Sequence, residues 1–193
     1  MSSRIHLIVG LGNPGAQYEQ TRHNAGFWFV EAVARRLGGN FKSEGKFHGE
    51  VCRLHLGSEE LWLLKPMTFM NKSGQAIAAL SRFYKIAPDA ILVAHDELDL
   101  PPGDIRLKLG GGHGGHNGLR DTIAQLGTRD FQRLRIGIGH PGHSSQVTGF
   151  VLGKAPANEQ QQIETALDCA LDVLELAVSG EMQKAMNQLH SKK

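Results

Sequence analysis

Cysteine is nearly absent: Cys52 and Cys169 are the only two in 193 residues, too few and too far apart for a disulfide framework or a zinc ribbon. Cys52 falls in a strand-like run and Cys169 in a helical one, so both read as buried thiols. No apolar run approaches membrane-spanning length, and Met1-Ser2-Ser3-Arg4 leads into no secretory h-region. A cytoplasmic protein with no membrane association is therefore expected. An excess of one charge is also missing. Lys and Arg number 21 against 19 Asp and Glu, a formal +2, which permits a local basic patch but not a strongly basic nucleic-acid coat. There is no G-x-S-x-G elbow for a serine hydrolase and no H-E-x-x-H for a zinc protease. Both cysteines lie outside the polar loops, which disfavours a cysteine nucleophile.

Glycine, by contrast, is plentiful, and nowhere denser than in Gly110-Gly111-Gly112-His113-Gly114-Gly115-His116-Asn117-Gly118. Each glycine costs backbone entropy and adds no side chain to a core, so packing does not explain the run. It follows a strand-like alternation (Ile105, Leu107, Leu109) and precedes a helical pattern (Leu119, Ile123, Leu126). Asn117 stands where that helix should begin, placed to cap it or to face a ligand.

The remaining chain alternates in the same way. Ile5–Leu11 reads as a buried central strand, ending in Gly10-Leu11-Gly12-Asn13-Pro14-Gly15. This satisfies G-x-G-x-x-G, but the helix starts late, around Asn24, and the segment beyond that helix, Lys42–Phe47, is polar and irregular, so a dinucleotide site is disfavoured. A helix through Trp28, Val30, Ala34 and Leu37 is preceded by Thr21-Arg22-His23-Asn24. A hairpin over Gly49–Leu56 and Leu61–Lys65, turning at Gly57–Glu60, leads to Pro66–Gly74 and a helix over Gln75–Tyr84, capped by Asn71 or Ser73. Met67, Phe69 and Met70 read as core or as the lining of an apolar cleft. The buried run Ala90–Ala94 ends in His95-Asp96-Glu97-Leu98-Asp99, acids that need partners if they are covered. Phe131–Gly139 is a further strand with Arg133 and Arg135 on one side. From Pro156 one long amphipathic helix runs to Gly180, and Glu181–Leu189 forms a last helix. The pattern predicts one α/β domain spanning 1–193, with a helical C-terminus.

Strand-to-loop junctions thus deliver Asn13 with His23, Asn71, and Asp96; the glycine loop delivers His116 and Asn117. A histidine, a carboxylate to orient it and several amides suit a general-base hydrolase. A metal hydrolase is the competing reading, because the chain has ten histidines, although His113 and His116 sit on glycines that would hold ligands poorly.

Taken together, Gly10–Gly15, Thr21-Arg22-His23-Asn24-Ala25-Gly26, Lys65–Gly74, His95–Asp99, Gly110–Gly118, Arg133–Pro141 and Phe150-Val151-Leu152-Gly153 resemble, in order, the signature segments of bacterial peptidyl-tRNA hydrolases. The resemblance spans nearly the whole chain. It implies a monomer with a twisted, mostly parallel mixed sheet sandwiched between helices. It also implies hydrolysis of the ester between the peptide and the 3′ end of tRNA, without metal or other cofactor. His23 matches the family's catalytic histidine and Asp96 the carboxylate that keeps it basic. Asn13 matches the residue that separates N-blocked from free aminoacyl esters, while Tyr18, Phe69, Asn71 and Asn117 match positions contacting the peptide and the 3′ end. Met70 and His116 are supporting candidates. Arg106, Lys108 and Arg135 are candidates for phosphate contacts along the acceptor stem, the alternative being solvated strand-edge charges. One departure is the loop His143-Ser144-Ser145-Gln146, which lacks the lysines some members carry. A catalytically silent tRNA- or nucleotide-binding module on the same fold is the other hypothesis, against which the presence of His23, Asp96 and the three asparagines weighs.

Overall fold

A computed structural model of the chain describes residues 2–192. The apolar run at the N-terminus forms β1 (Leu7–Gly10), every residue of which is buried. Alternate side chains feed two separate cores. Leu7, Val9 and Leu11 pack with α2 (Ser73–Phe83) and α3 (Asn117–Leu126), whereas Ile8 packs with α1 (Ala25–Leu37) and the C-terminal helices. Burial on both faces explains why β1 reads as a continuous hydrophobic run.

The seven-stranded sheet has the order β2-β3-β4-β1-β5-β7-β6. Its four central strands, β4 (Glu59–Pro66), β1, β5 (Ile91–Glu97) and β7 (Gln132–Gly137), are parallel to one another. The margins, β2 (Lys42–Glu44) with β3 (Gly49–Leu56) and β6 (Ile105–Leu109), are antiparallel. The expected α/β sandwich is therefore present. At the C-terminal ends of β1, β4 and β5, the loops that follow β1 and β4 carry Asn13 and Asn71, and the last residues of β5 include Asp96.

Three expectations change. Lys42–Phe47 is ordered: Lys42–Glu44 pairs with β3 as a short polar edge strand, followed by a 3₁₀ turn. Its charged residues are what an exposed sheet edge tolerates. The single long C-terminal helix is instead broken. α5 (Ala157–Asp172) ends at Val173, and α6 (Leu174–Val178) follows as a separate short helix. A straight helix over both segments would be about 33 Å long. The break instead keeps Val173, Leu174, Ala177 and Val178 in the core and brings the Val178 carbonyl to the Ile5 N–H. Cys52 is buried as expected, but Cys169 on α5 is only partly covered. α7 (Met182–Ser191) covers the other sheet edge, where His190 Nε2 accepts the Leu107 N–H at 3.1 Å. Among the described residues, no helix is long and apolar enough to cross a membrane.

The approach of α1 to the sheet depends on two glycines. A Cβ on Gly10 would lie 2.1 Å from the Gly26 carbonyl oxygen, and a Cβ on Gly26 would lie 2.4 Å from that of Ala94. Gly10 is thus needed for close helix–sheet packing, and the G-x-G-x-x-G pattern needs no dinucleotide to explain it. This contact brings the start of α1, with His23 just before it, to the end of β5. Gly26→Ala should therefore lower unfolding stability by about 1–3 kcal/mol through overpacking. Gly45→Ala, where no atom lies within 4 Å of the added carbon, should change it by less than about 0.5 kcal/mol. Urea unfolding followed by circular dichroism checks both, and equal midpoints would contradict the packing argument.

Candidate active site

Asp96, at the C-terminal end of β5, is 3% exposed and would be costly there without partners. It has two. His23, from the 3₁₀ turn Arg22–Asn24, donates from Nδ1 to Asp96 Oδ2 at 2.9 Å. His116 donates from Nε2 to Oδ1 at 2.8 Å. The tautomer of His116 follows from its position as N-cap of α3. Its Nδ1 accepts the N–H groups of Gly118 and Leu119, so the proton is on Nε2. The expected cap, Asn117, is instead the first residue of the helix.

With Nδ1 of His23 committed to Asp96, its Nε2 is the ring nitrogen left for the cleft. Burial opposes protonation of His23, but the charge of Asp96 and the hydrogen bond to it outweigh that, and the pKa is raised above 6.5. Burial likewise opposes ionisation of Asp96, yet the two imidazoles hold it far below the usual carboxylate range. A third histidine, His95, is buried, donates from Nδ1 to the Asp96 carbonyl at 2.9 Å, and is pushed down to about 4, mainly by burial and also by His116. It stays neutral and adds no charge to the pair beside it.

The asparagines are fixed by the loops around them. Asn13 Oδ1 accepts the Met70 N–H at 2.8 Å, which leaves the Asn13 NH₂ as a donor. This bond ties the β1 loop to the turn that carries Phe69 and Asn71. The backbone N–H and C=O of Asn13 are both held by the side chain of Asn24. Asn24 was not singled out in the sequence, yet it is almost fully buried and links the first loop to the His23 turn. Arg22 was missed too: it is buried, donates to the Phe150 carbonyl and stacks on the Phe150 ring at 3.8 Å. The sequence signal was the polar run Glu19–Asn24 before an apolar helix, which pattern alone does not distinguish from a solvated helix start.

These groups line a cleft of about 580 Å³ that includes Asn13, His23, Phe69, Met70, Asn71, Asp96, His116 and Asn117. Phe69 is largely exposed, and Tyr18 does not line the cleft but meets Phe69 edge-on at 6.5 Å. Met70 is buried beneath. Asn71 and Asn117 are exposed at the rim, and Asn117 Oδ1 accepts weakly from Arg120 at 3.4 Å. Of the basic candidates, Lys108 and Arg135 line the cleft, with Arg135 paired to Glu97 at 2.8 Å. Arg106 does not; it points along the sheet edge toward Asp104 at 3.5 Å. The pairing of Arg133 and Arg135 on one side breaks down in burial, since Arg133 is 2% exposed and Arg135 is not fully covered. His143–Gln146 is an exposed turn in which His143 accepts the Ser145 N–H.

Among the described residues, one group of side chains is close enough to share a cation: His23, Asp96 and His116 offer ligand atoms within 4.8 Å of one another. To use Nε2 as a ligand, His116 would have to move its proton to Nδ1, where two N–H donors already point. The set is built as a hydrogen-bonded triad.

A family model described as peptidyl-tRNA hydrolase matches residues 7–193. A peptidyl-tRNA hydrolase of Marinobacter nauticus is 60% identical over 191 residues, covering 99% of this chain and 97% of the relative. One from Neisseria gonorrhoeae is 56% identical over 192 residues, covering 100% of both. The crystal structure of the peptidyl-tRNA hydrolase from Acinetobacter baumannii superposes with a TM-score of 0.97 at 56% identity, covering 100% of this chain and 98% of that one. By sequence along its whole length and by fold, the chain belongs to the peptidyl-tRNA hydrolase family.

Proposed function

We propose that the chain hydrolyses the ester between an N-blocked peptide and the 3′ end of tRNA by metal-free general-base catalysis, with His23 as the base. The observation that carries this reading is Asp96 gripped by two imidazoles, which leaves Nε2 of His23 as the basic atom on the cleft wall. His23 Nε2 takes a proton from water as the water oxygen bonds to the ester carbonyl carbon. Asp96 keeps the ring in the Nδ1–H tautomer and stabilises the imidazolium that forms. The tetrahedral intermediate collapses by breaking the bond to the ribose 3′ oxygen, which takes the proton back from His23. Free peptide acid and tRNA are the products, so the reaction recycles tRNA from prematurely released chains. An aminoacyl ester is already activated, and no covalent enzyme intermediate is required.

Selectivity follows from Asn13. Its oxygen is occupied by Met70, so the amide left for substrate is a donor, suited to a peptide carbonyl and mismatched to a free α-ammonium. Asn71 and Asn117 supply further amides for the peptide and the 3′ end, and Phe69 with Tyr18 an apolar surface for the side chain. Lys108 and Arg135 contact RNA phosphates, Arg106 more weakly from the edge. A monomer acting in the cytoplasm, where peptidyl-tRNA arises, completes the proposal.

N-acetyl-aminoacyl-tRNA should be cleaved as fast with EDTA as without, and His23→Ala should lower kcat/KM by about 10²–10⁴-fold. Loss with EDTA would move the chemistry to a metal, and no cleavage by folded protein would leave a binding module. Because only neutral His23 is a base and its pKa is raised, kcat/KM should fall on the acid side with an apparent pKa above 6.5. Asp96→Asn should shift that limb to lower pH as well as slow the reaction; an unmoved limb would remove Asp96 from the mechanism. Asn13→Asp keeps the oxygen that holds Met70 but removes the donor. It should reduce the preference for blocked over unblocked esters by at least about tenfold, measured as the ratio of kcat/KM values.

A further inference from the structure

A second groove, of about 910 Å³, opens beside the Asn13 loop and has no part in the reaction above. Among the described residues, Asn13 is the one that lines both the groove and the active cleft. Its side chain bonds to Met70 in the cleft, and its main chain is held by Asn24, which lines the groove. No residue of the glycine loop borders the groove. Cleft and groove therefore meet at Asn13, with the glycine loop at one end of the path and α1 and α5 at the other. The Asn13 NH₂ is the donor assigned above to a peptide carbonyl, so residues further from the ester continue from this point. An extended chain advances about 3.3–3.6 Å per residue, which carries the third residue onward clear of the Asn13 side chain.

Carboxylates predominate in the groove: Glu19, Glu31, Glu50, Glu164 and Asp168 stand against Arg35, Lys65 and Lys154. Lys65 is already engaged, 3.2 Å from Glu50 and 4.0 Å from Glu31, with its Nζ 4.5 Å from the centre of the Phe41 ring. Glu19, Glu164 and Asp168 are exposed and, among the described residues, have no ion-pair partner. The groove also has apolar wall. Trp28 is half-buried there, its Nε1 donating to the Glu19 carbonyl at 2.8 Å, and Met67 is 37% exposed. Apolar wall edged by carboxylates is complementary to lysine and arginine, whose aliphatic stems pack while the charged heads reach outward. An acidic side chain in the same place meets like charge.

We propose that this groove receives the peptide upstream of Asn13 and selects for lysine or arginine at the third to fifth residues from the ester. The inference rests on the proposed peptidyl ester substrate, so binding of the free product is read beside turnover. Two N-acetyl-pentapeptidyl-tRNAs share the two residues next to the ester and carry either three lysines or three glutamates beyond them. The lysine ester should have the higher kcat/KM, by about tenfold at low salt, and the ratio should shrink in about 0.5 M NaCl. Glu19→Lys/Glu164→Lys, at two exposed positions, should bring the ratio to about one or below. For binding, the free pentapeptide acids are titrated into ¹⁵N-labelled protein. Trp28 and Trp62 are the two tryptophans, and Trp62 lies in a different depression of the surface. The lysine peptide should shift the Trp28 indole resonance and leave that of Trp62 in place, and the glutamate peptide should shift neither. In the double variant the Trp28 shift should vanish. Equal kcat/KM values for the two esters, an unmoved Trp28 indole, or an unchanged ratio in the folded variant would overturn the proposal. So would shifts confined to Val147 and Thr148, which would route the peptide out along another wall of the cleft. If neither ester is cleaved while Trp28 still responds to the lysine peptide, the groove stands and the proposed activity fails.

Discussion

A single buried carboxylate, Asp96, governs the layout of this molecule. Ionised at the end of a central strand, it is stable only if both oxygens are occupied, and two histidines from opposite sides of the sheet occupy them. His23 comes from the start of α1 and His116 from the start of α3. The carboxylate therefore joins the helical layers as well as setting the basicity of His23. Removing either imidazole exposes the same cost, so catalytic and structural roles are not cleanly separable at this residue.

Much of the remaining architecture keeps those two helix starts in reach. Gly10 and Gly26 let α1 approach β1 and β5 until their backbones touch. Gly118 has Met70 Sδ where a side chain would be, which lets α3 settle against the turn that holds Asn71. Asn13 and Asn24 then tie the first loop to that turn and to the His23 turn by hydrogen bonds that use main-chain groups otherwise left unpaired. Polar groups buried in this way tolerate few alternative arrangements, because each unpaired member costs about 1–3 kcal/mol. The cleft inherits its rigidity from this network.

Electrostatics divides the cleft. Around His23 one carboxylate carries the charge, held by hydrogen bonds from two imidazoles, with a neutral His95 behind. Toward the glycine loop it becomes positive, with Lys108 and the buried Arg133, while Arg135 is partly neutralised by Glu97. A polar reaction centre with its carboxylate tied up by imidazoles, beside a wall that carries basic side chains, suits an ester on the end of a polyanion. Asp96, Glu97 and Asp99 line the same cleft as these cations, so the sign of charge changes along its wall.

Periodicity was enough to read most strands and helices, since β1 and β5 are buried on both faces and α1 and α2 each have an apolar stripe. His23, Asp96 and the asparagines stood out because polar residues at strand ends need a reason to be there. What failed was local: Lys42–Glu44 paired as an edge strand despite its polarity, and the C-terminal helix is interrupted at Val173, which stays in the core. Both depend on the neighbours that lie across from a segment, which no local pattern records. By itself, the sequence determined the alternation of elements, the junctions that bear chemistry and the family. Only the tertiary structure decided that His116 caps a helix and so carries its proton toward Asp96, that Asn13 turns its NH₂ to the cleft, and that Arg133 is buried where Arg135 is not. The reason is physical: the Asn13 amide and the Arg133 guanidinium are fixed by partners 57 and 21 residues away, and the His116 tautomer, although set by its own helix start, meets its acceptor Asp96 only through folding.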